Sequence, residues 1–326
     1  NADIKSAAIT GTNGKSTACK LLEQVLKKAN IDVQLGGNIG KPILDLKIRN
    51  KSFVVIEASS FQLAYSKFIK PNYAVILNIA DDHLDWHGTK KNYINSKLKI
   101  FRNQDKNDFA LVNNKKNISL FKKNNFLSEL ISVKQNIPSG IKNRYLLSKP
   151  NKENLTFVYS ISKILNIKKI VFLNAVNKFK GLPHRHEIFY KKKGITFINN
   201  SKATSFDATK HALKSNKNIF WIVGGLNKLG DKFNIKKLNK NIVKAFVVGK
   251  KTSFFTKQLK GKVDYIVTSN LNNTIKQVFK ELTIIRNKNI TVLFSPSAAS
   301  YDQFKNFVQR GDSFKKLVKN YANKYF

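Results

Sequence analysis

Apolar runs of strand length recur at residues 5–10, 52–57, 73–79 and 108–112, and amphipathic stretches at 15–29 and 90–101 fall between them. That alternation predicts a parallel sheet with helical crossovers, an α/β architecture. Residues 113–150 are rich in Lys and Asn and read as irregular, and two helix-like stretches follow at 151–165 and 167–179. The step Gly181-Leu182-Pro183 is a natural hinge. Beyond it the pattern restarts, with strand-like runs at 194–199, 218–223, 244–249 and 289–294 and helical stretches near 205–214, 251–259, 271–282 and 304–320. The expectation is two α/β domains, 1–182 and 183–326.

The first strand-like run leads into Gly11-Thr12-Asn13-Gly14-Lys15-Ser16-Thr17 at the start of a helical pattern. Backbone N–H groups and the positive end of a helix dipole at such a turn suit the phosphates of ATP. Lys15 would reach the β- and γ-phosphates, and Ser16 or Thr17 would hold Mg²⁺. The usual pattern wants a glycine where Ile9 stands, so a shorter loop variant is implied.

The balance of 60 Lys and Arg against 19 Asp and Glu, a net charge of +41, would ordinarily suggest nucleic acid. The lysines are instead spread through nearly every segment without aromatic interleaving, so they read as a compositional bias on solvated faces, with no specific nucleic-acid partner. A lone cysteine, Cys19, excludes an intrachain disulfide framework and suits a reducing cytoplasm. No run approaches a membrane span, so no membrane insertion is expected.

Further chemistry gathers at predicted strand ends, where parallel sheets bind ligands. Glu57 closes the second run and is either a Mg²⁺ ligand or a solvated turn carboxylate. Asp81-Asp82-His83-Leu84-Asp85-Trp86-His87 follows the third, and with Leu84 where a zinc helix would carry Glu, a Mg²⁺-nucleotide site touched by His83 is the better reading. Arg185, in Pro183-His184-Arg185-His186-Glu187, has the planar fork to clamp a phosphate or carboxylate. Three more loops, Ile198–Thr204, Gly224–Lys228 and Ser295–Ser300, are each compatible with simple turn chemistry but jointly suggest a second site for a small anionic substrate.

The ordered segments GTNGKST, GGNIGKP, EASSFQL, NIADDHLDWHG, YINSKLKIF, LPHRHE, INNSKAT, GGLNK and SPSAASYDQFKNFVQRG, spanning about residues 7–314, resemble the Mur ligases. The C-terminal stretch is the most discriminating and points to the branch that adds D-glutamate to UDP-N-acetylmuramoyl-L-alanine. The resemblance implies a central P-loop ATPase-like domain with a mainly parallel sheet and a Rossmann-like C-terminal domain. The family's N-terminal UDP-binding domain has no counterpart here, and a natural segment preceding Asn1 is expected.

By resemblance, Gly11, Thr12, Asn13, Gly14, Lys15, Ser16 and Thr17 cradle ATP, and Ser16 and Glu57 serve one Mg²⁺. His83 and Lys97 serve a second, Lys97 as its carbamate, so that a cation becomes an oxygen ligand. Asn38 and His83 match contacts to the muramoyl substrate, and Asn151 and Asn154 match adenine-side asparagines. His184 and Arg185 match groups that bridge the domains between ATP and the incoming amino acid. Lys202, Thr204, Lys228, Ser300 and Phe307 match the D-glutamate pocket. Asn200 stands where the family has Asp, a change expected to weaken ATP use or domain closure. The implied protein is a cytoplasmic, monomeric ATP-dependent acid–amino-acid ligase of peptidoglycan synthesis, with Lys15, His83, Lys97 and Arg185 closest to the chemistry. Two rivals are another member or a folylpolyglutamate synthase, and a basic ATP-binding protein that no longer ligates.

Overall fold

A computed structural model of the chain describes residues 4–80, 82–227, 232–236, 238–249, 252–285 and 289–326. Its backbone separates into two compact units, Asn1–Lys180 and Gly181–Phe326.

In chain order the first unit runs β1 (Lys5–Thr10), α1 (Lys15–Lys28), β2 (Val33–Gly37), β3 (Phe53–Glu57), α2 (Ser60–Tyr65), β4 (Tyr73–Ile76), α3 (Leu84–His87) and α4 (Lys90–Leu98). It continues with β5 (Phe109–Val112), α5 (Lys115–Lys123), β6 (Glu129–Ser132), α6 (Arg144–Leu147), α7 (Lys149–Ile164) and α8 (Lys169–Asn177). The six strands form one parallel sheet in the order β2-β3-β1-β4-β5-β6. Chain direction along the sheet reverses at β1, so the loop after it opens at the switch point where α/β sheets bind ligands.

Strand alternation decides which side chains meet which helices. Ala7 and Ile9 share a core with Cys19, Leu22 and Val25 of α1 and Phe157 and Phe172 of α7 and α8. Ala8 lies on the other face with Leu98 of α4, Ile100 and Phe101. Thr10, two residues after Ala8, therefore faces α4, and Glu57, two residues after the α1-side Val55, faces α1.

The stretch 113–150, expected to be irregular, contains α5, β6 and α6, and β2 also lies outside the expected runs. β6 is an edge strand with an incompletely buried pattern, which leaves little apolar signal in its sequence. The third run stops at Ile76 instead of continuing to Ile79. Asn78 is taken out of the ladder by the loop after β1: its carbonyl accepts from Thr12 N at 3.0 Å and its side-chain oxygen from Asn13 N at 2.9 Å.

The second unit runs β7 (Glu187–Lys192), β8 (Ile195–Asn199), α9 (Phe206–Ser215), β9 (Ile219–Val223), β10 (Ile242–Val248), α10 (Ser253–Leu259), β11 (Tyr265–Thr268), α11 (Leu271–Ile284), β12 (Ile290–Phe294) and α12 (Phe307–Tyr325). Its sheet has the order β11-β10-β9-β12-β8-β7 and is parallel except for β7, which pairs antiparallel with β8. A hairpin through Lys193 and Gly194, both at positive φ (46° and 75°), makes that reversal. The partly exposed edge strands β7, which ends in two lysines, and β11 lie outside the expected runs. One face of the sheet packs Phe197, Phe220 and Phe294 against α11 and α12, and the other packs Ile198, Trp221 and Leu293 with α9 and α10.

Candidate active site

The loop between β1 and α1 is built from its own sequence and from the strand beside it. Gly14 precedes α1 in the left-handed region at φ 89°, a conformation costly to residues with a Cβ. A Cβ there would lie 2.2 Å from Asn154 Oδ1, so the asparagine from α7 packs directly on the loop backbone. Lys15 folds back over the turn and donates to the carbonyls of Gly11 at 2.8 Å and Thr12 at 3.1 Å. Thr12 Oγ1 accepts from Ala80 N at 2.9 Å and meets the Tyr93 hydroxyl at 2.8 Å. Ser16 and Thr17 are buried in the first turn of α1, while Asn13 is exposed. Ile9 is a core strand residue, which is why the loop begins only at Gly11.

Glu57 is a buried carboxylate, not a solvated one. It pairs in register with Ile9, at 1% exposure, and Oε1 accepts from Asn38 Nδ2 at 2.8 Å. Oε2 is buried with no hydrogen-bond partner. An orphaned carboxylate oxygen is costly unless a cation meets it, so this donor fits Mg²⁺. Its charge reaches α1: after burial, Glu57 is the strongest influence raising the Cys19 thiol well above its ordinary value.

Lys97 on α4 is also 1% exposed. Its ammonium lies 3.5 Å from Thr10 Oγ1 and 4.7 Å from the centre of the Tyr93 ring. Burial, reinforced by the nearby Lys15 charge, pushes its pKa down to about 7. One of many lysines on an amphipathic pattern is thus set apart by placement alone.

His83 caps α3 at φ 52°, nearly half exposed, with Nε2 3.4 Å from Asp82 and its ring 4.7 Å from Phe61. His87 is buried between Ser60 Oγ at 3.0 Å and Ser96 Oγ at 3.4 Å, and burial lowers its pKa. It is a packing residue between α2 and α4, while Trp86 is about half exposed and packs edge-on against Phe61 and Tyr65. Asp81 lies outside the described residues. Among the described residues no three of His, Cys, Asp and Glu converge as a metal cluster, so a cation here would draw on Glu57 together with hydroxyl, phosphate or carbamate oxygens. Asn151 donates to Tyr145 O at 3.0 Å and Ser148 Oγ at 3.2 Å, which ties the start of α7 to α6.

In the second unit, the loop after β8 is held to the N-terminus of α12. Arg310 donates through Nε to Ser201 Oγ at 3.1 Å and through Nη2 to Ser201 O at 2.7 Å, and Ser201 Oγ donates to Phe307 O at 2.8 Å. Buried Arg310, whose pKa burial lowers to about 10, remains charged at neutral pH. Through it the loop bearing Lys202 and Thr204 is fixed against Phe307 at the start of α12, and the Lys202 ammonium sits 5.1 Å above the Phe307 ring, while Ser300 is buried. Asn200 is buried and fully engaged: Oδ1 accepts from His186 N at 3.1 Å and Nδ2 donates to Ser295 Oγ at 2.9 Å. Ser295 and Ser297 pass on to Thr209 Oγ1 at 2.8 and 2.7 Å. The amide therefore has a donor role that a carboxylate would lack. His184 is buried beside Phe307, and Arg185 is half-buried. Lys228 lies outside the described residues.

Sequence reasoning did not single out Thr10, Asn78, Tyr93, Asn199 or Arg310 as supporting groups. Asn78 carried a signal, an amide directly after a buried strand, but the others acquire their partners only through tertiary approach.

Residues 9–175 match the Mur ligase middle domain. The chain is 33% identical over 336 residues to the UDP-N-acetylmuramoylalanine--D-glutamate ligase of Rickettsia bellii, covering 95% of this chain and 74% of that protein. It is 30% identical to the enzyme of that name from Wolbachia pipientis, over 97% of this chain and 77% of that one. Among solved structures, MurF ligase from Thermotoga maritima in complex with ADP superposes with a TM-score of 0.72 at 16% identity, over 99% of this chain and 81% of that one, which is a likeness of fold. Among the described residues no helix is long and apolar enough to cross a membrane. The matched middle domain and the extended identity together establish that this chain belongs to the Mur ligase family of ATP-dependent, ADP-forming peptide synthases.

Proposed function

We propose that the chain joins D-glutamate to UDP-N-acetylmuramoyl-L-alanine. The alanyl carboxylate attacks the γ-phosphorus of ATP, giving an acyl phosphate and ADP. The D-glutamate amine then attacks the acyl carbon, loses a proton, and the tetrahedral intermediate expels inorganic phosphate to leave the amide. The loop Gly11–Thr17 and Lys15 hold the phosphates, with Asn151 and Asn154 on the adenine side, and Asn38 and His83 meet the muramoyl substrate. Mg²⁺ held by Ser16 and Glu57, and a second ion held by His83 and carbamylated Lys97, would neutralise charge on the transferring phosphoryl group. Lys97 suits that modification: an amine with a pKa of about 7 is half neutral at pH 7, so its lone pair can attack CO₂ and release a proton to leave the carbamate.

His184, Arg185, Asn200 and Lys202 are assigned to the phosphates and acceptor, and Lys202, Thr204, Lys228, Ser300 and Phe307 to D-glutamate, whose two carboxylates call for ammonium groups. The observation that carries the ligase chemistry is Glu57, a buried carboxylate beside the phosphate loop with one oxygen left for a cation. The choice of D-glutamate is supported by the relatives of that name and by the C-terminal motifs.

The test is phosphate release from ATP by the full-length reading frame with UDP-N-acetylmuramoyl-L-alanine, comparing D-glutamate with L-glutamate, L-lysine and meso-diaminopimelate. Stimulation by D-glutamate alone is expected. Stimulation by another amino acid would keep the ligase chemistry and move its specificity, and no stimulation by any of them would refute the proposal.

A further inference from the structure

The second unit carries a hydrogen-bond chain whose donor and acceptor roles are fixed by groups with no choice. Asn199, fully buried at the end of β8, accepts at Oδ1 from Ser201 N, a backbone donor, at 3.1 Å. On the other side its Nδ2 lies 3.1 Å from Glu187 Oε2, a carboxylate acceptor. Reversing the amide would set donor against donor and acceptor against acceptor, so its orientation is doubly determined. The same Nδ2 lies 2.9 Å from His184 Nδ1 and, more distantly, 3.4 Å from Gly311 O; since an amide nitrogen cannot accept, the ring nitrogen that faces it at 2.9 Å carries no proton of its own.

From this geometry we propose that Asn199 is a positioning residue that holds His184 as the neutral tautomer protonated on Nε2, presenting one fixed N–H donor to an anionic oxygen such as that of a phosphate. The anionic ligand rests on the ligase reading; the tautomer does not.

The surroundings agree. Glu187 Oε2 also accepts from His184 N at 2.8 Å, which fixes the backbone as well as the ring. Gly311 of α12 makes the approach possible, since a Cβ there would lie 2.2 Å from His184 Nδ1 and 3.0 Å from Asn199 Nδ2. The charged groups facing the ring are Glu187 from β7, Asp312 and Lys315 from α12, and Lys202 from the loop after β8. Asp312 Oδ1 is 3.8 Å from Nε2 but is largely exposed and shared with Lys315 at 3.1 Å. Burial is the largest influence and lowers the pKa, so the ring is neutral around pH 7.

The test reads the imidazole nitrogens by long-range ¹H–¹⁵N correlation in the ligand-free, histidine-labelled full chain. With five histidines, a His184→Gln spectrum assigns the signal. The expected wild-type pattern is an acceptor Nδ1 and a protonated Nε2 at pH 7. Asn199→Asp keeps the acceptor for Ser201 N but sets a carboxylate oxygen against Nδ1, so His184 should gain a proton there. Its pKa should rise by roughly one unit or more, and the acid limb of kcat/KM for ATP should move to higher pH with it. A proton on wild-type Nδ1 would overturn the proposal, as would an Asn199→Asp chain that is folded by its melt yet leaves the His184 nitrogens unchanged. The wild-type spectrum decides the tautomer even if Asn199→Asp fails to fold, and it does so whether or not D-glutamate supports turnover.

Discussion

Replacing Lys97 by Met should make the first unit more stable and the enzyme inactive. Burial and the Lys15 charge lower the Lys97 pKa from 10.5 to about 7. Because the folded value lies below the unfolded one, the unfolded chain binds more protons between them. Stability therefore rises with pH across that window, and the cost is complete below it. At about 1.4 kcal/mol per tenfold, folding around this ammonium costs about 5 kcal/mol at pH 6 and about 2 kcal/mol at pH 9. Met fills similar volume without a charge, and the lost contacts to Thr10 and Tyr93 subtract an amount that does not depend on pH. The advantage of Lys97→Met over wild type should thus shrink by about 2–3 kcal/mol from pH 6 to pH 9. Hydrogen exchange of peptides from β1 and β4, corrected for intrinsic rates and run in decarbonated buffer, reads the first unit separately from the second. A difference that is flat with pH would refute the desolvation argument, and retained amino-acid-dependent phosphate release would remove Lys97 from the site.

Glu57→Gln keeps an acceptor for Asn38 but gives up the charge, so Mg²⁺-dependent phosphate release should fall by roughly 10²–10³-fold while exchange of β3 is little changed. Unaltered Mg²⁺ dependence would exclude Glu57 as a ligand. Gly14→Ala meets both a left-handed backbone and Asn154 Oδ1, and ATP affinity measured by equilibrium titration should drop by roughly tenfold or more. Adding Asn154→Ala removes the clash but not the backbone strain, so recovery should be partial; complete recovery would mean the φ value is immaterial. His186 is held neutral by burial, with its pKa lowered from 6.5 to about 4 and a buried Nδ1 without a partner. The unfolded chain takes up that proton first, so the second unit should lose about 3 kcal/mol as the pH falls from 6.5 to 4, and His186→Asn should flatten this in exchange of β8 and β12 peptides. An equal loss in the variant would move the acid sensitivity elsewhere.

The sequence by itself determined the α/β class, the glycine-rich turn that opens α1 and the family. Apolar runs at strand spacing and a Gly-Lys-Ser-Thr turn after Ile9 are local patterns, visible because burial of a sheet centre demands them. It did not reveal the edge strands β2, β6, β7 and β11: the last three are only partly buried, which leaves less periodicity, and β2 is a short run that ends in Gly36-Gly37. Nor could it rank one lysine of a lysine-rich chain above another. Lys97 becomes singular because Thr10 alternates onto the face that α4 covers, and Glu57 becomes a candidate ligand because Asn38 occupies only one of its oxygens. The state of His184 was likewise invisible, since its donor and acceptor roles are imposed by Asn199, Glu187 and the missing Cβ of Gly311. Local periodicity is written residue by residue, whereas protonation and ligand capacity depend on which distant groups the fold brings within hydrogen-bond reach, and only the tertiary structure decides that.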